Sequence, residues 1–214
     1  EKFIAEKNNT VLGLATGGSV LSTYDALIRK YKNGRISFQN VVTFNLDEYV
    51  GLAPNHKQSY RHYMNKNLFD HIDINKKNTH IPECLDGNFE LTCNNYESLI
   101  KSHGGINLQL LGVGSNGHIG FNEPTSSLKS RTRVKTLTNN TIHNNARFFG
   151  ESELQPSIAI TMGIGTIMDA KNIILLGLGQ HKSRAVADLV EGPLSSFCPG
   201  SALQNHANVI VVLD

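Results

Sequence analysis

Ile106-Asn-Leu-Gln-Leu-Leu-Gly-Val-Gly-Ser-Asn-Gly-His-Ile-Gly-Phe-Asn-Glu-Pro124 joins an apolar run to a glycine-rich turn. The run from Ile106 to Leu111 reads as a buried strand. The turn then brings His118 and Glu123 where glycine lets backbone approach a small molecule. A histidine that titrates near neutrality, with a carboxylate five residues on, suits proton transfer. The competing reading is a structural loop whose polar groups satisfy one another. What lies on either side of the run decides between them.

Upstream, Val11 to Ala15 and Val41 to Asn45 read as two more buried strands. Downstream, Ile173 to Leu176 and Val209 to Leu213 read as two others. Helices are expected between them at Val20 to Lys32, Ser59 to Phe69, Thr92 to Ser102 and about Lys182 to Glu191. Apolar strands alternating with helices predict a Rossmann-like α/β fold, a parallel sheet with helices on both faces. No repeat, low-complexity tract or composition shift divides the chain, so 1–214 is expected to be a single domain. The chain begins at Glu1 and stops at Asp214 directly after a strand-like run, and both ends are expected to be cut.

In such a sheet, ligands bind beyond the carboxyl ends of the strands. Three polar turns fall there: Thr16-Gly17-Gly18-Ser19, Asn45-Leu46-Asp47-Glu48, and Gly112 to Glu123. Gly18 and Ser19, at a strand-to-helix turn, offer free amides and a helix dipole to a phosphate. An ordinary turn with Ser19 as N-cap is the alternative. Asp47 and Glu48 are adjacent on an extended segment, so only one is expected to face the site, as a general base. Lys182, near a strand mouth and a helix start, reads as balancing an anion or as an exposed helix charge, the commoner case. Arg147, flanked by residues that would anchor it, suits a bidentate phosphate contact.

Other classes fit poorly. The 214 residues carry a formal charge of +2, with 39% apolar and 18% charged residues. That is too little positive charge to argue for nucleic acid. The one basic cluster, Lys129, Arg131, Arg133 and Lys135, reads as a local anion site or a solvated edge. No apolar run approaches a membrane span and no signal-peptide pattern is present. Gly112-Val-Gly114-Ser-Asn-Gly117 matches a dinucleotide fingerprint, but Pro124 blocks a following helix and no acidic residue ends a strand about 20 residues on. A nicotinamide or flavin is therefore not expected. The nine histidines lack metal-ligand spacing, so no metal is expected either. Cys84, Cys93 and Cys198 are odd in number, with no Cys-x-x-Cys pair, and point to a reducing, cytoplasmic setting.

Leu12 to Ser19, Asn45 to Leu52, Leu111 to Pro124, Ser130 to Leu137 and Ser201 to His206 together resemble the glucosamine-6-phosphate deaminase family. The likeness is ordered and covers essentially the whole chain. It implies a reversible, cofactor-free conversion of glucosamine 6-phosphate to fructose 6-phosphate and ammonia. By that match His118 assists opening of the sugar ring, supported by Glu123 and by Asn116, while Asp47 moves a proton between C2 and C1. Gly18, Ser19, Arg147 and Lys182 would hold the phosphate. Many members carry aspartate where this chain has Asn116, and some bacterial members carry asparagine. An asparagine oxygen can fix the imidazole tautomer without stabilising imidazolium by charge, so a shifted pH profile is expected. Ser126, Arg133 and Lys135 match the effector site of allosteric, hexameric members. Those members also use a tyrosine from a C-terminal segment absent from these residues. Asn116 points instead to the simpler non-allosteric branch, and a homo-oligomer is expected. The rivals are a galactosamine-6-phosphate deaminase, a 6-phosphogluconolactonase, and a non-catalytic sugar-phosphate sensor.

Overall fold

The computed structural model describes residues 2–5, 9–83, 87–137 and 156–214. Six strands form a parallel sheet: β1 (Val11–Leu14), β2 (Val42–Asn45), β4 (Thr79–His80), β5 (Leu108–Gly112), β8 (Ile173–Gly177) and β9 (Val209–Leu213). Their order is β4-β2-β1-β5-β8-β9, every pairing parallel. The chain builds outward from β1 to β2 and β4, then returns to the other side of β1 for β5, β8 and β9. The order reverses between β1 and β5, where a crevice opens at their carboxyl ends.

The five expected strands and the four expected helices are present, with ends shifted by a few residues. The helices are α2 (Leu21–Lys32), α3 (Tyr60–Asn67), α4 (Phe89–Ser102) and α6 (Ser183–Val190), beside two short ones, α1 (Lys2–Ala5) and α5 (Ile164–Met168). Leu12, Leu14, Phe44, Leu110, Leu111, Leu175 and Leu176 anchor one large core with Val20, Tyr24 and Ile28 of the first crossover. Burial of these side chains, about 1.5–3 kcal/mol each, drives the sheet together. Glycine at position 13 makes room for the buried side chain of Gln109 on the neighbouring strand, whose Oε1 would lie 2.0 Å from a Cβ there.

The expectation of one parallel sheet is incomplete. A second, three-stranded antiparallel sheet joins β3 (Asp47–Tyr49), β7 (Ile158–Thr161) and β6 (Arg133–Thr136), with β7 central. Asp47-Glu48 is thus the start of a strand rather than a turn. Part of the basic cluster is likewise a strand. Register sets Asp47, Thr161 and Arg133 in one row, and Glu48, Ile160 and Val134 in the next.

Glu97 of α4 ties this sheet to the rest. Its carboxylate accepts from Thr132 N (2.8 Å), Thr132 Oγ1, Thr166 Oγ1 and both Arg131 Nε and Nη2. Arg131 also bonds Asp169 through Nη1 at 2.7 Å. Arg131 is therefore a structural cation, not the anion site or solvated edge expected of its cluster.

Candidate active site

The crevice between β1 and β5 is lined by two loops. After β1, Gly17 takes a φ of 105°, a left-handed conformation suited to glycine, and Gly18–Val20 form a short 3₁₀ turn into α2. No side chain caps this turn or α2. Ser19 is thus not an N-cap, and its hydroxyl and the first amides are left for another acceptor or ligand. Tyr63 Oη donates to Gly17 O at 2.7 Å and Tyr24 Oη to Ala15 O at 2.5 Å, fixing the loop from two helices. A Cβ on Gly112, at the end of β5, would stand 4.0 Å from Ser19 Cβ, so the two loops face each other.

After β5, the chain turns tightly. Gly114 N donates to His118 O (2.9 Å) and Gly117 N to Gly114 O (3.0 Å). The His118 ring lies over Gly114, where a Cβ would come within 2.1 Å of it. Imidazole, amide and carboxylate then form a chain. His118 Nδ1 is 2.6 Å from Asn116 Oδ1, and Asn116 Nδ2 donates to Glu123 Oε2 at 2.8 Å. Because the asparagine oxygen can only accept, Nδ1 carries the proton and Nε2 is the nitrogen left to react. Glu123 is 7% exposed, whereas the His118 side chain keeps 32% of its surface. The segment beyond α6 braces the loop: Gly200 N donates to Gly117 O at 2.8 Å, and Thr125 N to Ser196 O at 2.7 Å.

Asp47 enters from the second sheet. It is 6% exposed, and no hydrogen bond to its carboxylate is found among the described residues. Oδ2 lies 3.3 Å from where a Cβ on Gly120 would stand, two residues beyond His118. Burial, and then the neighbouring Glu48, push its pKa up to about 8. Glu48 points the other way, as adjacent strand residues must. Its oxygens accept from Tyr49 N, Tyr60 N and Arg61 N, each at 2.9 Å. Burial pushes it up to about 7 against the opposing pull of those amides.

Lys182 closes a 3₁₀ turn, Gln180–Lys182, just past the carboxyl end of β8, the strand that packs beside Gly18–Val20. Partial burial lowers its pKa. Arg147 lies outside the described residues. Ser126 is buried with its hydroxyl unpartnered among the described residues, while Arg133 and Lys135 lie on one face of β6. Sequence reasoning missed the anchoring by Glu48, the pairing of β3 with β7, and the support from Gly200. All three depend on contacts between distant segments, although the glycines at 114 and 120 were a signal of close approach.

A buried carboxylate and an oriented imidazole at the switch point of a parallel sheet are the groups that an α/β enzyme of the proton-transfer class would use. Comparison with known proteins narrows the class. The profile of the family described as glucosamine-6-phosphate isomerases/6-phosphogluconolactonase matches residues 1–212, and the chain belongs to that family. It is 56% identical over 214 residues to a glucosamine-6-phosphate deaminase of Shewanella woodyi, covering all of this chain and 81% of the relative. It is 50% identical to the deaminase of Thermoanaerobacter pseudethanolicus, again over the whole chain and 85% of that protein. A solved monomeric glucosamine-6-phosphate deaminase superposes with a TM-score of 0.95 at 47% identity, over 100% of this chain and 88% of that one. A 6-phosphogluconolactonase of Thermotoga maritima shares the fold, with a TM-score of 0.75 at 18% identity over 99% of this chain and 88% of that chain.

Proposed function

We infer that the chain is a glucosamine-6-phosphate deaminase, converting glucosamine 6-phosphate and water reversibly to fructose 6-phosphate and ammonia. The observation that supports this best is the His118–Asn116–Glu123 chain held beside Asp47 at the sheet's switch point. Acid–base groups that differ in environment are what an aldose–ketose isomerisation needs.

The substrate phosphate sits on the amides and hydroxyl of Gly18 and Ser19, with Lys182 and Arg147 as its cations. His118 Nε2 takes the proton of the C1 hydroxyl, and the ring oxygen is protonated as the sugar opens. Glu123 stabilises the charged imidazole through Asn116. Asp47, deprotonated, removes the C2 proton and returns one to C1, and water hydrolyses the resulting ketimine with loss of ammonia. The residues acting are those of 1–214 as one domain, with no cofactor or metal in the reaction. Cys198, a free thiol, suits a cytoplasmic location. Ser126, Arg133 and Lys135 are assigned to an effector site, with a homo-oligomer as its setting. Light scattering decides this against the monomeric state described for the solved relative.

Ammonia and fructose 6-phosphate should appear in equal amounts from glucosamine 6-phosphate, and Asp47→Asn should abolish both. Galactosamine 6-phosphate run alongside separates the two amino sugars. Tight sugar-phosphate binding without turnover would replace this reading with that of a sensor.

A further inference from the structure

Asp47 and His118 come from different sheets, so something must hold them in register. Glu48 sits between the base and the helix that reaches the histidine loop. Ser59 caps α3 by accepting from His62 N at 3.0 Å, which leaves the amides of Tyr60 and Arg61 unsatisfied by that cap. Glu48 takes both, one on each oxygen, 2.9 Å apiece. Tyr60, the first residue of α3, stacks on Phe121 with ring centroids 6.1 Å apart and 13° between planes. Tyr49 fills the angle, 4.9 Å from Tyr60 and 5.7 Å from Phe121. Phe121 lies three residues beyond His118, and its amide donates to Thr161 Oγ1 at 3.2 Å, on the strand paired with Asp47. A closed circuit therefore runs from Asp47 through Glu48, α3 and Phe121 back to β7.

We propose that Glu48 is a positioning residue of the deaminase reaction, locking the base on β3 to the aromatic wall that carries the His118 loop. This rests on the function proposed above. A neutral side chain cannot satisfy both helix amides as two acceptors, because one end of a glutamine would present a donor to a donor. Its charge also acts on Asp47. The other ionisable groups facing the pair are Tyr60 and Arg61 of α3, Tyr96 of α4 and Glu83, with His118 and Glu123 on the loop. Arg61 is already bound to Glu83 Oε1 at 2.7 Å and to Thr79.

The test is kinetics of Glu48→Gln and Glu48→Asp against pH, with circular dichroism of each. Glu48→Gln should lower kcat about 10–100-fold with KM nearly unchanged. Its acid limb should move to lower pH, because a negative charge beside Asp47 is gone. Glu48→Asp should lose kcat but keep the limb in place. Wild-type kcat and a superimposable limb in Glu48→Gln would overturn the proposal. Should Glu48→Gln fail to fold, wild-type kcat in Glu48→Asp overturns it and a depressed kcat with the limb retained supports it. If the native chain does not deaminate, the function is wrong, and ¹³C titration of the Asp47 carboxyl in the native chain and Glu48→Gln still tests the coupling: a lower value in the variant supports it, identical values overturn it.

Discussion

Asn116 shows how one amide settles two neighbours. Its oxygen holds His118 Nδ1 at 2.6 Å while its nitrogen serves Glu123 at 2.8 Å, so imidazole and carboxylate are linked without a second charge. Aspartate at this position would place two carboxylates at that 2.8 Å contact, and the pair would have to share a proton. The shared charge would then lie partly on the group 2.6 Å from Nδ1 instead of wholly on Glu123, 3.5 Å away, and so favour imidazolium more strongly. Asn116→Asp should therefore move the acid limb of the pH–rate curve to higher pH. Superimposable limbs would remove the argument. The placing of Asp47, His118 and Glu123 near one another was legible in the sequence because each follows the end of a recognisable strand. Glu48 was legible only as one of two adjacent carboxylates, since its partners on α3 lie twelve and thirteen residues on. That contact exists only after the two segments pack.

At the scale of elements, five of the six parallel strands could be read because each is a short, mainly apolar run; Thr79–His80, two polar residues at the sheet's edge, could not. The three-stranded sheet could not. Asp47–Tyr49 is three residues, two of them acidic, and Arg133–Thr136 carries two cations in four. Neither sequence favours a strand by itself; pairing with the apolar β7 imposes the conformation. The same dependence on neighbours makes the turn after β5 sensitive to a single methyl group. Gly114→Ala would put a Cβ 2.1 Å from the His118 ring and swing it off Asn116. We expect kcat to fall by about 100-fold or more with the circular dichroism spectrum unchanged. Native kcat in that variant would show that the ring need not lie where the turn puts it.

For the molecule as a whole, holding Asp47 in the interior has a cost that varies with pH. Its native pKa is about 8 against 3.8 for an ordinary aspartate. A carboxyl raised in this way contributes to stability below the lower value, and that contribution is lost as pH climbs through the upper one. Glu48, raised to about 7, acts in the same direction. Thermal stability of the ligand-free protein should therefore decline between about pH 4 and 8 from these two groups. Asp47→Asn removes the larger part, and should melt at least about 3 °C above the native chain at pH 9 while nearly matching it at pH 4.5. Equal melting temperatures at pH 9 would mean the native fold accommodates the charged aspartate at little expense.

The row that sets Asp47, Thr161 and Arg133 side by side crosses only three strands, and its central member is fully buried. The turn at Gly18 and Ser19 hangs from the other sheet. Asp47 and the turn at Gly18 and Ser19 thus stand on separate foundations, while His118 shares the larger one with that turn. On the function proposed above, a change confined to the smaller sheet reaches the base alone and leaves both the imidazole and the hold on the substrate's far end where they are. One scaffold can in this way exchange a single member of its acid–base pair over evolutionary time.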